Sequence, residues 1–423
     1  MFASFAARAS RLPSDADAYD PAARVAEERE LTGLIEKVNT RALEARASSL
    51  RQGVSCSIPT LKYDRETRSS VMGGMNYHIE VRFEDGIIWI ARIRRVNATS
   101  PPAALRDYII QSEVATLMFL KPTNVPAPEI YDFGLEGPNN PVEVGYILMQ
   151  KLPGKSLRWS VANQEQRGKV MSQLADTFIE VHKYPFPLLG SLNNPGTSAV
   201  GPYARESLTN FVRSKMCLTG PFSSPKEYHM SSLQLILDLI VQDELYAQRA
   251  VDAYLVHRFL IDLVPLVLPS SQTDDKFYLK HADDKGDHIL VDEQFNITGI
   301  IDWEWAHTAP ASQDFTSPIG FLPVGDFYDG KNSLGDDGIA FAQFLEEKGC
   351  RGLAQSVWNG RLQHRFAFCC GYDLADWDGF VGLFRGLREA RGVDGGLEWH
   401  EWKTIALDRY KDDSGLQLVL SRP

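Results

Sequence analysis

Two stretches of this sequence decide the fold: His281-Ala-Asp-Asp-Lys-Gly-Asp-His-Ile-Leu-Val-Asp292 and, a few residues later, Ile300-Ile-Asp-Trp-Glu304. The short apolar runs in the two stretches, separated by a polar turn, predict a β-hairpin. Asp283 lies in the loop before the first strand, His288 at the start of that strand, and Asp302 at the end of the second strand. A hairpin of this size brings His288 and Asp302 close together, with Asp283 at the same mouth.

Two carboxylates and an imidazole that converge at a hairpin mouth suit a hydrated Mg²⁺ beside a reacting group. The alternative is a solvated acidic loop, which is the usual role of a stretch rich in aspartate. Asp302 fits that alternative less well, because it stands between Ile301 and Trp303. An unpaired carboxylate would be costly to bury there.

Upstream of the hairpin, residues 54–150 predict a five-stranded antiparallel sheet with one inserted helix that starts at Pro101-Pro102. The strands are short runs rich in aromatic and β-branched residues: Ser55–Tyr63, Tyr77–Phe83, Ile87–Ile93, Val125–Phe133 and Tyr146–Gln150. Before the sheet, Pro21–Leu50 predicts one helix. After it, helical patterns predominate, at 163–183, 203–218, 228–266, 337–349, 353–371 and 380–391.

These residues resemble the phosphotransferase family related to aminoglycoside kinases and choline kinases, within the protein-kinase-like fold. That family carries His-x-Asp-x-x-x-x-Asn, then a strand, then an Ile-Asp-Trp or Ile-Asp-Phe segment. Here both halves occur in order, and Asp283 and Asp302 stand 19 residues apart. The resemblance covers roughly residues 70–310. Its further landmarks are Trp89–Ile93, Ser112–Leu117, Val125–Glu129 and Tyr146–Gly154.

The resemblance implies an α+β, two-lobed protein-kinase-like fold. It would have a small five-stranded antiparallel N-lobe and a larger, mostly helical C-lobe. The implied organisation is an N-terminal extension with a helix at 1–53, a nucleotide-binding N-lobe at 54–150, a hinge at 151–154, and a helical C-lobe at 155–423 that contains the catalytic hairpin at 281–304.

Roles in the catalytic hairpin follow from the resemblance. Asp283 would accept or orient the proton of the substrate hydroxyl during transfer of the γ-phosphoryl group. Asp302 would bind the Mg²⁺ that bridges the ATP phosphates. His288 occupies the place of the family's Asn, a second metal ligand, although Mg²⁺ prefers oxygen donors. The alternative is a structural role for His288. In that case Mg²⁺ affinity would be weak or activity would be lost.

On the third strand, Arg92 falls where kinases place a lysine that pairs with phosphate. Arginine is always charged and can grip phosphate with two nitrogens, so the replacement is plausible chemistry. Glu113, on the following helix, would pair with Arg92 and hold it. The alternative is an exposed surface ion pair, worth about 0–1 kcal/mol.

Other nucleotide contacts implied by the resemblance rest on weaker signals. Gly73 and Gly74 could arch over the phosphates through backbone N–H groups, but a plain hairpin turn needs such glycines equally. Met149, Gln150 and Leu152 would line the adenine pocket.

The acceptor site should come from the helical lobe, especially residues 200–260 and the segment after Asp302. Asp314 and Asp326 could hold a cationic acceptor, or they belong to an ordinary acidic loop.

The sequence therefore predicts an ATP- and Mg²⁺-dependent phosphotransferase that acts on a hydroxyl of a small molecule. One alternative is a catalytically silent, kinase-like nucleotide-binding protein, which the His288 and Arg92 replacements favour somewhat. Another is a metal-dependent hydrolase that uses His281, Asp283, Asp287 and His288. That alternative leaves Arg92, its predicted partner and the hinge unexplained.

Composition narrows the partners and the compartment. A formal net charge of −11 argues against a nucleic-acid partner, which would require a basic face. No apolar run approaches the roughly 18–20 residues of a membrane span. The five cysteines are dispersed and odd in number, which favours a reducing compartment such as the cytoplasm. A mitochondrial presequence at Met1–Pro13 is the alternative, and the oligomeric state stays open.

Overall fold

The computed structural model describes residues 13–64, 73–97, 100–212, 215–268, 276–371 and 376–422. Its first half is built around a five-stranded antiparallel sheet, and the remainder is mostly helical. The α+β class predicted from the sequence is therefore confirmed. The presequence alternative for Met1–Pro13 falls almost entirely outside these residues.

The sheet has the strand order β1-β2-β3-β5-β4, so that β3 lies in its centre. Residues alternate along β3 between the two faces of the sheet. Ala91 and Ile93 belong to the core on the outer face, whereas Arg92 and Arg94 point to the inner face. The strands are β1 Cys56–Ser57, β2 Asn76–Phe83, β3 Ile88–Arg94, β4 Ile130–Gly134 and β5 Tyr146–Gln150.

Two N-terminal helices, α1 Pro13–Lys37 and α2 Thr40–Leu50, cover the outer face of the sheet. The prediction of one helix across this region is corrected, because the chain breaks at Asn39. The Asn39 side chain accepts a hydrogen bond from the backbone N–H of Ala42 at 3.1 Å and so caps the second helix. Both N-terminal helices thus contribute side chains to the core on the outer face of the sheet.

The inner face of the sheet shares a core with helix α3, Ala103–Leu120, and with the hairpin that carries the motif. Val114 of the helix, Met149 of β5 and Ile289 and Ile300 of the hairpin are all buried in it. This shared core fixes the hairpin against the sheet. The hairpin consists of β12 Ile289–Val291 and β13 Ile297–Ile300, and β12 also pairs with β6 Lys155–Ser156. On either side of the hairpin in the chain, β11 Phe277–Lys280 pairs with β14 His307–Pro310.

The remaining residues form a mostly helical body. A second core lies around the fully buried Trp402, whereas Met171, Phe341 and Leu353 belong to the core shared with the sheet. The principal helices are α4 Gln164–Val181, α5 Pro225–Val241, α6 Ala250–Val267, α7 Ala311–Asp314, α8 Val324–Tyr328, α9 Asp336–Glu347, α10 Arg351–Trp358, α11 Gly360–Gly371, α12 Trp377–Arg391, α13 Trp399–Arg409 and α14 Ser414–Leu420. The strands within it are β7 Ser191–Leu192, β8 Val200–Gly201, β9 Thr209–Val212 and β10 Lys215–Leu218. Across the described segments, no helix combines the length and apolar character that a membrane span requires.

Three helix predictions in this body are wrong, and one of them, the helix at 353–371, is the pair α10 and α11. The predicted helix at 203–218 is instead a short 3-10 turn followed by the hairpin of β9 and β10, in which Thr209 pairs with Leu218. Thr209 favours extended backbone because its branched side chain loses rotamer freedom in a helix. The predicted helix at 228–266 is two helices, α5 and α6, joined by a turn.

Gly154, after β5, has little room for a side chain. Its φ is +102°, and a Cβ atom there would lie 2.8 Å from the Val291 carbonyl oxygen and would contact the Thr298 side chain. Gly53 has a similar φ of +89° with open space around it. We expect Gly53→Ala to cost about 1–2 kcal/mol of backbone strain, and Gly154→Ala to add about 1–3 kcal/mol of steric overlap.

Urea denaturation of the two variants and the unmodified chain measures this difference. Equal losses of unfolding free energy would show that crowding at Gly154 does not matter.

Candidate functional site

Arg92 is the centre of the candidate site, where its buried guanidinium meets three carboxylates. Its Nη1 lies 3.0 Å from Glu113 Oε1, which confirms the predicted ion pair. Its Nη2 donates to Asp302 Oδ1 at 2.5 Å and to Glu304 Oε2 at 2.6 Å. The helix after β3 and the end of the hairpin thus converge on one side chain.

Glu304 is a second organising residue, and the sequence analysis gave it no role. Its side chain is 3% exposed. It accepts a hydrogen bond from Asn76 Nδ2 at 2.6 Å and forms an ion pair with Arg94. Arg94 also lies 3.2 Å from Glu206. The buried charges therefore alternate along an ion ladder of five residues: Glu113, Arg92, Glu304, Arg94 and Glu206.

The backbone after β13 explains how Asp302 and Glu304 reach the same arginine. Asp302 has a left-handed φ of +68°, which aspartate tolerates better than most residues. A 3-10 turn at Trp303–Trp305 follows directly. Trp303 is buried in the shared core, so the turn is anchored by packing while both carboxylates face the sheet.

Asp302 is ionised at neutral pH. Burial raises the pKa of its carboxyl group, but the charge and hydrogen bond of Arg92 outweigh burial and lower the pKa to about 2. The Asp302 side chain is nevertheless 43% exposed. It therefore offers a charged, accessible oxygen surface beside the ion ladder.

The loop that carries Asp283 is held by His281. The His281 Nε2 lies 2.8 Å from the carbonyl oxygen of Ile301, and its Nδ1 accepts from the backbone N–H of Asp283 at 3.3 Å. These two contacts fix the ring with its proton on Nε2 and tie the loop to the end of β13. The Asp283 carboxylate lies 3.0 Å from Lys285 Nζ, and its side chain is 16% exposed.

His288 is buried next to His281, with ring centroids 4.2 Å apart. Its Nδ1 accepts from the backbone N–H of Gly286 at 3.3 Å. Burial, followed by the charge of His281, lowers the pKa of His288 well below its ordinary value. The ring is therefore neutral with its proton on Nε2, so its lone pair faces the loop backbone. Metal ligation by His288 stays a prediction, and it would require the ring to give up this hydrogen bond.

The two predicted glycines lie just before β2. The N–H of Gly73 donates to the Asn76 carbonyl oxygen at 2.9 Å. The carbonyl oxygens of Gly73 and Gly74 accept from Arg95 Nη1 at 3.1 and 3.3 Å. These contacts are those of a turn, and a phosphate-binding role for the pair stays a prediction.

The predicted adenine-pocket residues run from the end of β5 into the hinge. Met149 is buried in the shared core. The N–H of Gln150 donates to the Glu129 carbonyl oxygen at 2.8 Å, and Leu152 packs on Gly299. Their role in binding a nucleotide stays a prediction.

The two acids proposed to bind a cationic acceptor, Asp314 and Asp326, do not fit that role. Asp314 is 7% exposed, and burial raises the pKa of its carboxyl group to about 8. Asp326 forms a surface ion pair with Lys331 at 2.5 Å, and its side chain is 50% exposed. Neither residue therefore offers an unpaired, charged carboxylate to a cationic acceptor.

A family model described as the phosphotransferase enzyme family (APH) matches residues 89–326, more than half of the chain. The chain belongs to this family. The two-lobed, protein-kinase-like fold predicted from the sequence is confirmed: a small lobe holds the sheet, and a large lobe is mostly helical.

Two curated relatives of this phosphotransferase come from fungi. Over 123 residues it is 34% identical to a subtelomeric hrmA-associated cluster protein of Aspergillus fumigatus, a match that covers 28% of this chain and 23% of that protein. Over 247 residues it is 27% identical to clavilactone A biosynthesis cluster protein Y of Ampulloclitocybe clavipes, covering 56% of this chain and 59% of that protein. The chain thus spans less than two thirds of the length of either relative.

The phosphotransferase is also similar to two solved structures. One is the GDP complex of wild-type aminoglycoside 2'-phosphotransferase-IIIa, at 16% identity and a TM-score of 0.40, covering 84% of this chain and 99% of that one. The other is a thermostable mutant of APH(4)-Ia with AMP-PNP and hygromycin B, at 11% identity and a TM-score of 0.42, with the same coverage.

Removing the charge of Glu304 tests the ion ladder. We expect Glu304→Gln to lower the free energy of unfolding by about 3–5 kcal/mol, because it leaves Arg92 and Arg94 buried with too little negative charge. Glu293→Gln is the matched control, since Glu293 pairs with Lys155 at 3.0 Å while 79% exposed, and we expect a change of about 0–1 kcal/mol. Equal effects in urea denaturation would contradict the ladder's role.

Asp314 generates a pH prediction. Its pKa is about 8 in the folded chain and about 4 when unfolded. Between these values the folded chain keeps a proton that the unfolded chain has lost, so the free energy of unfolding falls as pH rises. Asp314→Asn removes this dependence. We expect the variant to gain stability relative to the unmodified chain from pH 5 to 8 in urea denaturation, whereas a pH-independent difference would refute the assignment.

Proposed function

We propose that this phosphotransferase is an ATP- and Mg²⁺-dependent kinase that transfers the γ-phosphoryl group to a hydroxyl of a small molecule. The observation that carries the proposal is the position of Asp302. Its ionised, accessible carboxylate touches Arg92 and lies on the hairpin whose preceding loop holds Asp283.

Arg92 supports the nucleotide part of the proposal. It is a buried, permanently charged guanidinium, held by Glu113 on one side and Glu304 on the other. A guanidinium held in one orientation can bind phosphate oxygens with little further loss of conformational freedom. The named structures support nucleotide use in the family, since one contains GDP and the other AMP-PNP.

The donor set also fits Mg²⁺. This ion is commonly bound by one or two carboxylates, with substrate phosphates and waters completing its coordination. Asp302 supplies one such carboxylate, which is ionised because its pKa is about 2. The bound ion would neutralise charge on the transferring phosphate. His288, as placed, contributes a neutral imidazole near Asp302, and its predicted role as a second ligand depends on a rotated ring.

Asp283 is the proposed acceptor of the substrate proton. As the bond from the acceptor oxygen to the γ-phosphorus forms, the bond to the β–γ bridging oxygen breaks, and ADP leaves. The hydroxyl proton passes to the Asp283 carboxylate. His281 keeps the Asp283 backbone in place through its Nδ1, so the carboxylate is positioned before the acceptor binds.

The hydrolase alternative lacks the ligand cluster that it needs. Among the residues that the structure describes, no three His, Cys, Asp or Glu side chains are placed to share a metal ion. Measurement of phosphoryl transfer distinguishes the kinase from the silent nucleotide-binding alternative, because only the kinase would turn over.

Two substitutions test the proposed kinase. With γ-labelled ATP, Mg²⁺ and a metabolite extract, we expect Asp283→Asn to reduce phosphoryl transfer by about 10²–10⁴-fold, the usual contribution of a general base, while ATP still binds. Asp302→Asn should abolish the Mg²⁺ dependence of ATP binding in a thermal-shift assay. A parallel arm with GTP tests the choice of nucleotide.

Asp326→Asn serves as the control, because that side chain lies in an exposed surface ion pair. Transfer that is unchanged by Asp283→Asn would remove Asp283 from the reaction. ATP binding without any turnover by the unmodified chain would favour the silent alternative.

A further inference from the structure

Arg205 is a partly buried arginine in the large lobe whose hydrogen-bonding capacity is not used up. It immediately precedes the 3-10 turn Glu206–Leu208. Its Nη2 donates to the Trp305 carbonyl oxygen at 3.3 Å, and its Nε is buried without a partner. A buried donor without a partner carries a desolvation cost of about 1–3 kcal/mol, which a bound oxyanion would remove.

Arg205 lies beside the segment that follows Asp302, which was predicted to contribute to the acceptor site. Trp305 lies three residues after Asp302, and the neighbouring Glu206 is held by Arg94 of the ion ladder. Burial lowers the pKa of Arg205, and the charges of Tyr228, Tyr203 and Asp283 oppose that effect. Arg205 is thus within electrostatic reach of the Asp283 carboxylate.

Aromatic rings hold the surroundings of Arg205 rigid. Tyr203 and Tyr228 stack with centroids 4.9 Å apart and an interplanar angle of 26°. The ring of His307 lies 5.4 Å from Tyr203. Arg205 therefore extends from a packed aromatic wall and not from a loose surface loop.

Both signs of charge lie around Asp283. Asp284 and Asp302 lie near the same His281 ring as Asp283, and Lys285 Nζ pairs with the Asp283 carboxylate at 3.0 Å. In the described part of the chain, Arg205 has no carboxylate partner at salt-bridge distance, in contrast to Arg92 and Arg94. Of the acids considered for a cationic acceptor, Asp314 keeps its proton at neutral pH because burial raises its pKa to about 8, and Asp326 is paired with Lys331.

We propose that Arg205 binds a negatively charged group of the acceptor, a carboxylate or a phosphate, next to the hydroxyl that is phosphorylated. This inference rests on the proposed kinase function and names the acceptor class for the same site. An oxyanion would satisfy the Nε–H that has no partner and complete a charge-assisted pair. A cationic acceptor would instead meet Arg205 as a like charge.

Matched ligand pairs test the proposal on the full chain. The probes are D-glycerate against glyceramide, 4-hydroxybenzoate against 4-hydroxybenzamide, and glycerol 3-phosphate against glycerol. Titration calorimetry measures their binding with and without ADP and Mg²⁺. We expect at least one anion to bind more tightly than its neutral partner, and Arg205→Gln to weaken that anion about 10- to 100-fold. Arg205→Lys, which keeps the charge, should retain part of the preference.

The matched control is Arg385→Gln, which changes a partly exposed arginine on α12. The proposal is overturned if no anion binds better than its neutral partner, or if Arg205→Gln and Arg385→Gln have the same effect in folded protein. It is also overturned if Arg205→Gln weakens AMP-PNP but not ADP, because Arg205 would then bind the γ-phosphate.

The arm without nucleotide separates this inference from the proposed function. Absence of ATP binding by the unmodified chain would refute the kinase while anion binding at Arg205 could still be measured. ATP binding and turnover with a neutral or cationic acceptor would refute the inference alone. Thermal melting of each Arg205 variant, compared with the unmodified chain, establishes that the variant is folded.

Discussion

Arg92 is the point at which the central strand of the sheet, the helix after it and the hairpin that carries Asp302 meet, and carboxylates from two of these elements bind its guanidinium. Burying such a cluster does not by itself stabilise a protein, because desolvation of the charges can equal their attraction. What the cluster provides is geometry. Each charge has one low-energy arrangement, and removal of any partner leaves another charge buried and unpaired. The ladder therefore fixes the hairpin relative to the sheet.

The balance of charge around Arg92 connects this geometry to a bound cation. Glu113 and Glu304 are nearly inaccessible, with side chains 4% and 3% exposed, whereas Asp302 is 43% exposed. The two buried glutamates can hold Arg92 without Asp302. Asp302 is thus the member of the cluster that can exchange its arginine for a metal ion without exposing the others. An arginine with several donors serves this arrangement better than a lysine, because its planar fork binds separate oxygens at once.

The sequence predicted the parts of the site that follow from the motif and from the family resemblance. The motif placed Asp283 and Asp302 at one hairpin, and the resemblance placed Arg92 on the third strand with Glu113 as its partner. Glu304 was missed because a charged residue next to an apolar segment is normally expected to be exposed to solvent. A signal was present: Arg94 shares the face of Arg92, so two buried arginines required more than one carboxylate. The prediction of a helix at 203–218 was wrong because the apolar spacing there fits both the helical period and the strand period. Pairing of the two strands across the turn decided between them.

Charge is distributed unevenly in this chain, and the distribution bears on what the site can accept. The net charge of −11 creates a general repulsion of anions, which salt screens over roughly 8–10 Å. Within the site, cations and carboxylates are interleaved: Arg92 touches Asp302 and Lys285 pairs with Asp283, whereas the Arg205 Nε has no partner. An anion that reaches the site is therefore attracted by direct contact with a single cation and not by a broad positive field. Such a profile selects anions that carry their own counter-cation, as a nucleotide with Mg²⁺ does, and it leaves recognition of a smaller anionic acceptor to direct contact with Arg205.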